Sequence, residues 1–220
     1  MRICVIENSE DLARYFVDHT HGIDVDVFPV WKDPVFPHDD YDAYVLTGDY
    51  HNISDGLLPF HETELEFIDT VRGKRIFASC FAHQLVARRF GGKVGKRELR
   101  LLGWHPALVK EPHPVFKGIG KKPYFLSLNG DEVTRKPASA RVLATNPDCS
   151  FQILLYDDIL TCQAHPEILY DDAISIMRKH RARLADRCPD MDDLIRQTAI
   201  FANDNASRRF MRNVMEWLLA

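Results

Sequence analysis

The sequence predicts an α/β fold: a mixed, mainly parallel central sheet flanked by helices. Three observations lead there. Short apolar runs alternate with helical stretches through the first ninety residues, a pattern that favours parallel strands with helices on both faces. A strand at Arg75–Ser79 runs into a helix with no room for a loop. That helix is stopped by Gly91-Gly92, the expected left-handed C-terminal signal.

In chain order, Arg2–Ile6 is a short apolar strand, followed by an Asn8/Ser9 helix start and a helical stretch over about Glu10–Asp18. Asp24–Phe28 alternates with period two and reads as a strand. After a proline-rich loop, Tyr44–Leu46 is another strand, ending at Thr47-Gly48. Leu65, Ile68 and Val71 share one helical face, Arg75–Ser79 is the fourth strand, and Phe81–Phe90 is the helix it feeds. The middle reads as strands at Leu99–Val109, Tyr124–Leu128, Arg141–Thr145, Phe151–Tyr156 and Ile159–Gln163, an antiparallel extension returning to the main sheet. The last fifty residues read as helices over about Asp171–Ala185, Met191–Ala202 and Ser207–Leu219. Phe210, Val214, Trp217 and Leu218 form an apolar stripe that should dock the final helix. No repeat, low-complexity segment or linker divides the sequence, so one domain over residues 1–220 is expected, with a helical C-terminal extension over about 170–220.

Composition narrows the functional classes. A chain of 220 residues with 45% hydrophobic and 27% charged residues can bury one substantial core. A net charge of −4 argues against nucleic acid as a partner, because phosphate recognition needs a cationic surface. There is no apolar run long enough for a membrane span, and the N-terminal residues lack the pattern of a signal peptide, so no membrane association is expected. Five cysteines (Cys4, Cys80, Cys149, Cys162 and Cys188) are scattered and odd in number, without a C-x-x-C pair. That suits reduced thiols in a cytoplasmic protein better than a disulfide framework or a zinc site.

Two segments carry chemistry. At Ala78-Ser79-Cys80-Phe81-Ala82-His83-Gln84 a cysteine sits where a buried strand becomes a helix, the geometry of a nucleophile elbow. Ala78 and Ala82 are small, as a crowded turn requires, and a thiol at a helix N-terminus gains thiolate character. On this segment alone a nucleophile and a buried small apolar side chain are both open. At Gln163-Ala164-His165-Pro166-Glu167 an apolar strand delivers a histidine and, two residues on, a glutamate. Residues i and i+2 of an extended chain point to the same side, so Glu167 can orient His165 and leave its other nitrogen for a thiol. An isolated histidine is usually structural; one paired with an elbow cysteine is better read as catalytic.

Rival motifs fail. His165-x-Glu167 matches half of a zinc-deaminase signature, but no P-C-x-x-C follows. The segment from Gly91 to Arg97 lacks the spacing of a phosphate loop. His19 and His21 lack a third ligand and read as loop residues.

Taken together, these motifs resemble the class I (triad) glutamine amidotransferases, and most closely their GMP-synthase-like, stand-alone members. Cys80 lies in a stretch similar to the family's G-x-C-x-G-H-Q, and His165 and Glu167 in one similar to its Q-x-H-P-E. Gly103-Trp104, His113-Pro114-Val115-Phe116 and Asn129-Gly130-Asp131-Glu132-Val133 also fit, the last resembling S-H-G-D-x-V. Leu46-Thr47-Gly48 matches the family's oxyanion turn. The ordered motifs span about residues 40 to 170. This chain departs from the pattern at Ala78, Ala82 and Asn129, and at Asp49-Tyr50, which replace a usual Gly-Pro; its helical tail is also longer than in minimal family domains.

The resemblance implies a flavodoxin-like core and a Cys80–His165–Glu167 triad. Cys80 would attack a carboxamide carbon, His165 would protonate the departing ammonia, and a γ-glutamyl thioester would be hydrolysed. The backbone N–H groups of Gly48 and Phe81 would form the oxyanion hole, and Gln84, Asn129 and Gly130 would hold the substrate. No metal or organic cofactor is implied. Three functions follow from it: a glutaminase passing ammonia to a synthetase partner protein, since no second domain that could use ammonia is evident; a hydrolase of small γ-glutamyl conjugates; or a catalytically silent module on the same fold. Two basic clusters stand apart. Lys93, Lys96, Arg97 and Arg100 are expected near the active-site face, where they could meet an anionic substrate or a partner. Arg178, Lys179, Arg181, Arg183 and Arg187 read as a solvated helix face.

Overall fold

The computed structural model describes residues 1–37, 40–184, 188 and 190–220. The chain runs β1 (Arg2–Ile6), α1 (Ala13–Val17), β2 (Asp24–Phe28), β3 (Ala43–Leu46), α2 (Pro59–Thr70), β4 (Arg75–Ser79) and α3 (Phe81–Arg89). There follow β5 (Lys93–Pro106), β6 (Leu108–Val109), β7 (Tyr124–Arg135), β8 (Arg141–Asn146), β9 (Cys149–Tyr156) and β10 (Ile159–Cys162). Helices α4 (Tyr170–Lys179), α5 (Arg181–Leu184), α6 (Met191–Thr198) and α7 (Ala206–Leu218) end it.

The main sheet has the order β2-β1-β3-β4-β10-β9-β8-β6. Its first five strands are parallel, and β9, β8 and β6 extend it antiparallel. All of β3 and β10, and all but the first residue of β1 and β4, is buried, as expected of parallel strands covered on both faces. Alternate residues serve opposite cores. Ile3, Val5, Val45 and Phe77 pack with Phe16 of α1 and Phe210 and Val214 of α7. Cys4, Ile6, Leu46 and Ile76 pack with Leu65 and Ile68 of α2 and Leu85 of α3.

Three local expectations need correction. The first helix begins at Ala13 instead of about Glu10, because Asp11 adopts a left-handed φ of 67° and the Ala13 N–H is taken by the Glu7 carboxylate at 2.9 Å. The strand expected at Leu99–Val109 begins at Lys93 and splits before β6. Its main part pairs with β7 as a separate two-stranded ribbon instead of joining the main sheet. The charged run Lys96-Arg97-Glu98 within it could not be buried between helix layers, and its register with β7 shifts between Lys96 and Leu101. The helix expected over 171–185 is two helices, α4 and α5, joined at His180; its end at Ala185 lies outside the described residues.

The final helix docks as its stripe requires. Phe210 is fully buried, with ring centroids 4.9 Å from Phe125 and 5.9 Å from Phe116. Asn213 donates to the carbonyls of Val115 and Lys117 at 2.9 Å each, and the Arg75 guanidinium lies over the Trp217 ring. Phe210→Ala should destabilise the fold by about 3–5 kcal/mol, read as a lowered midpoint in urea with an unchanged slope.

Candidate active site

Parallel strands bring their carboxyl ends to one edge of the sheet, where the functional residues collect. At the end of β4, Cys80 takes φ 49° and ψ −105°, a conformation that a non-glycine residue adopts only at a cost of about 1–3 kcal/mol. Its N–H is held by the carbonyl of Cys162 on neighbouring β10 at 2.8 Å, and its carbonyl accepts from the N–H of Gln84 at 3.2 Å. Ala78 and Ala82, on either side of this turn, are fully buried, so larger side chains would collide there. As the first residue of α3, Phe81 presents an N–H with no acceptor inside the helix.

Beyond β10 the chain leaves the sheet and is pinned by the ribbon: the N–H of His165 donates to the carbonyl of Leu126 on β7 at 2.7 Å. His165 Nδ1 donates to Glu167 Oε1 at 2.8 Å, and Ser79 Oγ donates to the same oxygen at 3.1 Å. With Nδ1 engaged, Nε2 is left for the Cys80 thiol, with which His165 also interacts. Burial alone would lower the histidine's pKa. The charges of Cys80 and Glu167 and hydrogen bonds to both overcome that and hold it well above its ordinary value. An imidazolium of this kind is what stabilises a neighbouring thiolate.

The remaining predicted positions surround this group. Gly48 lies against both partners: a Cβ there would sit 3.2 Å from His165 Cε1 and 3.4 Å from Cys80 Cβ. A pocket at the thiol is lined by Cys80, Phe81, Gln84, Asn129 and Gly130, and by Asp49, Tyr50 and Arg100. Gln84 is turned inward, donating to the Asp131 carbonyl at 2.9 Å and to Gln163 Oε1 at 3.2 Å. Gln163 in turn donates to Cys80 Sγ at 3.9 Å. Asn129 donates to the Asp131 carbonyl at 2.8 Å, while its buried Oδ1 has no partner among the described residues. At Gly130 a Cβ would meet the Arg100 guanidinium and Asn52 Oδ1, each at 3.1 Å.

Several contributors were not singled out in the sequence. Gln163 stood inside a motif, and its signal was the alternation that turns it toward Cys80. Ser79 and His19 gave no local signal; His19, expected as a loop residue, hydrogen-bonds the Glu167 carbonyl through Nε2 at 3.1 Å. Arg100 alone of its basic cluster lines the pocket, whereas Lys96 pairs with Asp55 and Arg97 with Glu132. In the second cluster, Arg181 pairs with Asp192 and Lys179 with Asp11, as expected of a solvated face; the Arg183 side chain and Arg187 lie outside the described residues. Among the described residues no group of three or more His, Cys, Asp or Glu is placed to hold a metal, and no helix is long and apolar enough to cross a membrane.

Three further cysteines, Cys4, Cys149 and Cys162, are buried. Burial raises the thiol pKa of Cys4 and Cys162 far above the usual value and that of Cys149 to about 12. Cys149, outside the strand expected at Phe151–Tyr156, opens β9, pairs with Asn146 and is buried. Cys188 is half-buried.

Behind the Gly48 turn lies a buried polar network. Glu64 Oε1 accepts from Asn8 Nδ2 at 3.2 Å, and the same amide donates to the Thr47 carbonyl at 3.1 Å. The Asn8 N–H donates to Thr47 Oγ1, whose hydroxyl donates to the Gly48 carbonyl. Beside it, Leu58 N–H donates to His61 Nδ1, so His61 carries its proton on Nε2 and donates to Asp49 Oδ2 at 2.8 Å. Burial tends to raise the Asp49 pKa, but hydrogen bonds from His61, Ser9 and His51 prevail and lower it.

Two tests follow. Gly48→Ala should leave the fold intact but push apart His165 and Cys80, lowering kcat at least about tenfold in a steady-state assay. Burial raises the Glu64 carboxyl from 4.5 to about 8. The folded protein therefore holds a proton over this window that the unfolded chain releases, and stability falls as pH rises through it. Glu64→Gln should remove that loss, so the Tm advantage of the variant over the parent should grow from pH 5 to pH 8.

The chain is similar to several known proteins. The sequence profile of the family "Glutamine amidotransferase class-I" matches residues 4–179. The glutamine-hydrolyzing GMP synthase subunit of Pyrococcus abyssi is 31% identical over 99 residues, covering 44% of this chain and 53% of that protein. Gamma-glutamyl peptidase 2 of Arabidopsis thaliana is 28% identical over 168 residues, covering 70% of this chain and 66% of the relative. The matches thus span about half to two thirds of these relatives' lengths. In fold, the chain superposes on a glutamine amidotransferase structure from Thermotoga maritima with a TM-score of 0.85, at 17% identity, over 100% of this chain and 98% of the other. With the profile matched over most of its length, this chain belongs to the class I glutamine amidotransferase family.

Proposed function

We propose that this protein cleaves the side-chain amide of glutamine, or of a related γ-glutamyl compound, through a thioester on Cys80. The observation that carries the reading is the strained left-handed turn that presents Cys80 beside a histidine already oriented by Glu167. Cys80 Sγ attacks the carboxamide carbon. The developing oxyanion is held by the Phe81 and Gly48 N–H groups, each worth about 3 kcal/mol in comparable sites. His165 gives its proton to the departing nitrogen as the C–N bond breaks. Water then attacks the thioester, His165 takes its proton, and the C–S bond breaks to release glutamate. Glu167 holds the imidazole in the required tautomer throughout. Gln163 fixes the sulfur, and Gln84 is a positioning residue for Gln163.

Two versions of this chemistry remain in play. The relation to a glutamine-hydrolysing GMP synthase subunit supports a glutaminase that hands ammonia to a synthetase partner. The relation to a gamma-glutamyl peptidase, together with Asp49-Tyr50 and Asn129 in the pocket, supports a hydrolase that acts without one. Ammonia or amine release is the deciding assay, measured with glutamine and with γ-glutamyl peptides, in each case alone and with candidate synthetases. Cys80→Ala should abolish release, a loss of more than about 10^3-fold, and Glu167→Ala should be roughly two orders of magnitude milder. Peptide mapping after brief treatment with a glutamine-analogue electrophile should find label on Cys80 ahead of Cys4 and Cys162. Absence of both turnover and label would leave only the silent-module reading.

A further inference from the structure

The pocket at Cys80 has two unlike walls. One is polar: Asn129, whose Oδ1 has no partner among the described residues, Arg100 over Gly130, and Asp49, whose carboxyl pKa is lowered by its hydrogen bonds against the effect of burial. The other is apolar and aromatic, made by Leu128, Ile176 and Leu184 with the rings of Tyr50 and His180. Leu128 joins two small apolar clusters, one containing Ile176 and Tyr50, the other Leu184. The Tyr50 and His180 rings lie 4.8 Å apart at 37° and tie the loop after Gly48 to the tail.

This second wall draws in part on the tail of the chain. His180 and Leu184 follow the last residue matched by the family profile, 179, and Tyr50 reaches them from the loop after Gly48. Glutamine has nothing to place against such a wall. Its α-amino and α-carboxylate groups call for polar partners, its two methylenes lie between those groups and the thiol, and its leaving group is ammonia. A wall of three aliphatic side chains and two rings suits a substrate whose leaving nitrogen carries a carbon substituent.

We propose that the pocket takes γ-glutamyl amides of apolar or aromatic amines. The zwitterionic end of the glutamyl group faces Asn129, Arg100 and Asp49, and the amine substituent faces Leu128, Ile176 and Leu184. The proposal rests on the thioester chemistry above and adds no new step. The C–N bond breaks, His165 protonates the nitrogen, and an amine R–NH2 leaves in place of ammonia; water then releases glutamate. The tail helices α4 and α5 thereby become specificity elements.

The test is a homologous series assayed on the full chain: glutamine and the γ-glutamyl amides of ethylamine, butylamine and benzylamine, each followed by glutamate release. The two alkylamines have nearly equal basicity, so their chemical reactivity cancels and a difference reports the wall. The butylamide and benzylamide should exceed the ethylamide in kcat/KM by at least about tenfold, the scale of added methylenes in an apolar pocket. Ile176→Ser and Leu184→Ser should each shrink the butylamide-to-ethylamide ratio toward one. The ratio in the parent protein decides the matter even if a variant fails to fold. Glutamate release at equal kcat/KM from ethylamide and butylamide, or a preference for glutamine over both, would overturn this inference while leaving the thioester reading intact. No release from any member, with no label on Cys80, would overturn both.

Discussion

The pairing of β4 with β10 is the constraint on which the site depends. The two strands lie side by side and parallel, from Ile76 opposite Ile159 to Ser79 opposite Cys162. Their carboxyl ends therefore reach the same edge of the sheet, one ending in Cys80 and the other leading into Gln163 and His165. The hydrogen bond from Cys80 N–H to the Cys162 carbonyl continues that ladder by one step and fixes the strained turn. An antiparallel pairing at this point would send the histidine to the opposite edge, and no adjustment of side chains could recover it.

Strain at Cys80 is tolerable because its surroundings are over-determined. Its N–H and carbonyl are both hydrogen-bonded, Ala78 and Ala82 beside it are fully buried, and α3 begins immediately afterwards. The antiparallel ribbon of β5 and β7 adds a second restraint by gripping the His165 backbone through Leu126. Glu167 is itself held from two sides, by Ser79 on its carboxylate and His19 on its carbonyl. The Cys80 thiol, the His165 imidazole and the Glu167 carboxylate are thus each supported by an element distant in sequence.

The loop after β3 joins the reacting groups to the outer part of the pocket. Gly48 must be small because both Cys80 and His165 press against it. One residue later, Asp49 is fixed by His61, and Tyr50 reaches the tail at His180. A short segment therefore carries the proposed oxyanion position on one side and a wall of the pocket on the other.

Much of this was legible in the sequence for local reasons. The strand-to-helix junction at Cys80 is written in adjacent residues, and the same-side spacing of His165 and Glu167 follows from the two-residue period of extended chain. Alternation of buried strands and helices was enough for the parallel core. Other features had no local signature. The left-handed Asp11 that shortens α1 has no signal in residue type alone, and the detachment of β5 and β7 into a ribbon depends on pairing between segments dozens of residues apart. So do Ser79 and His19 at Glu167, and Leu184 in the pocket wall. The sequence by itself determined the fold class and the family resemblance, because those rest on short-range periodicity and motif spacing. The tertiary structure alone decided which residues support the reacting groups and what shape the pocket has, because those depend on the order of strands in the sheet and on where the tail helices pack.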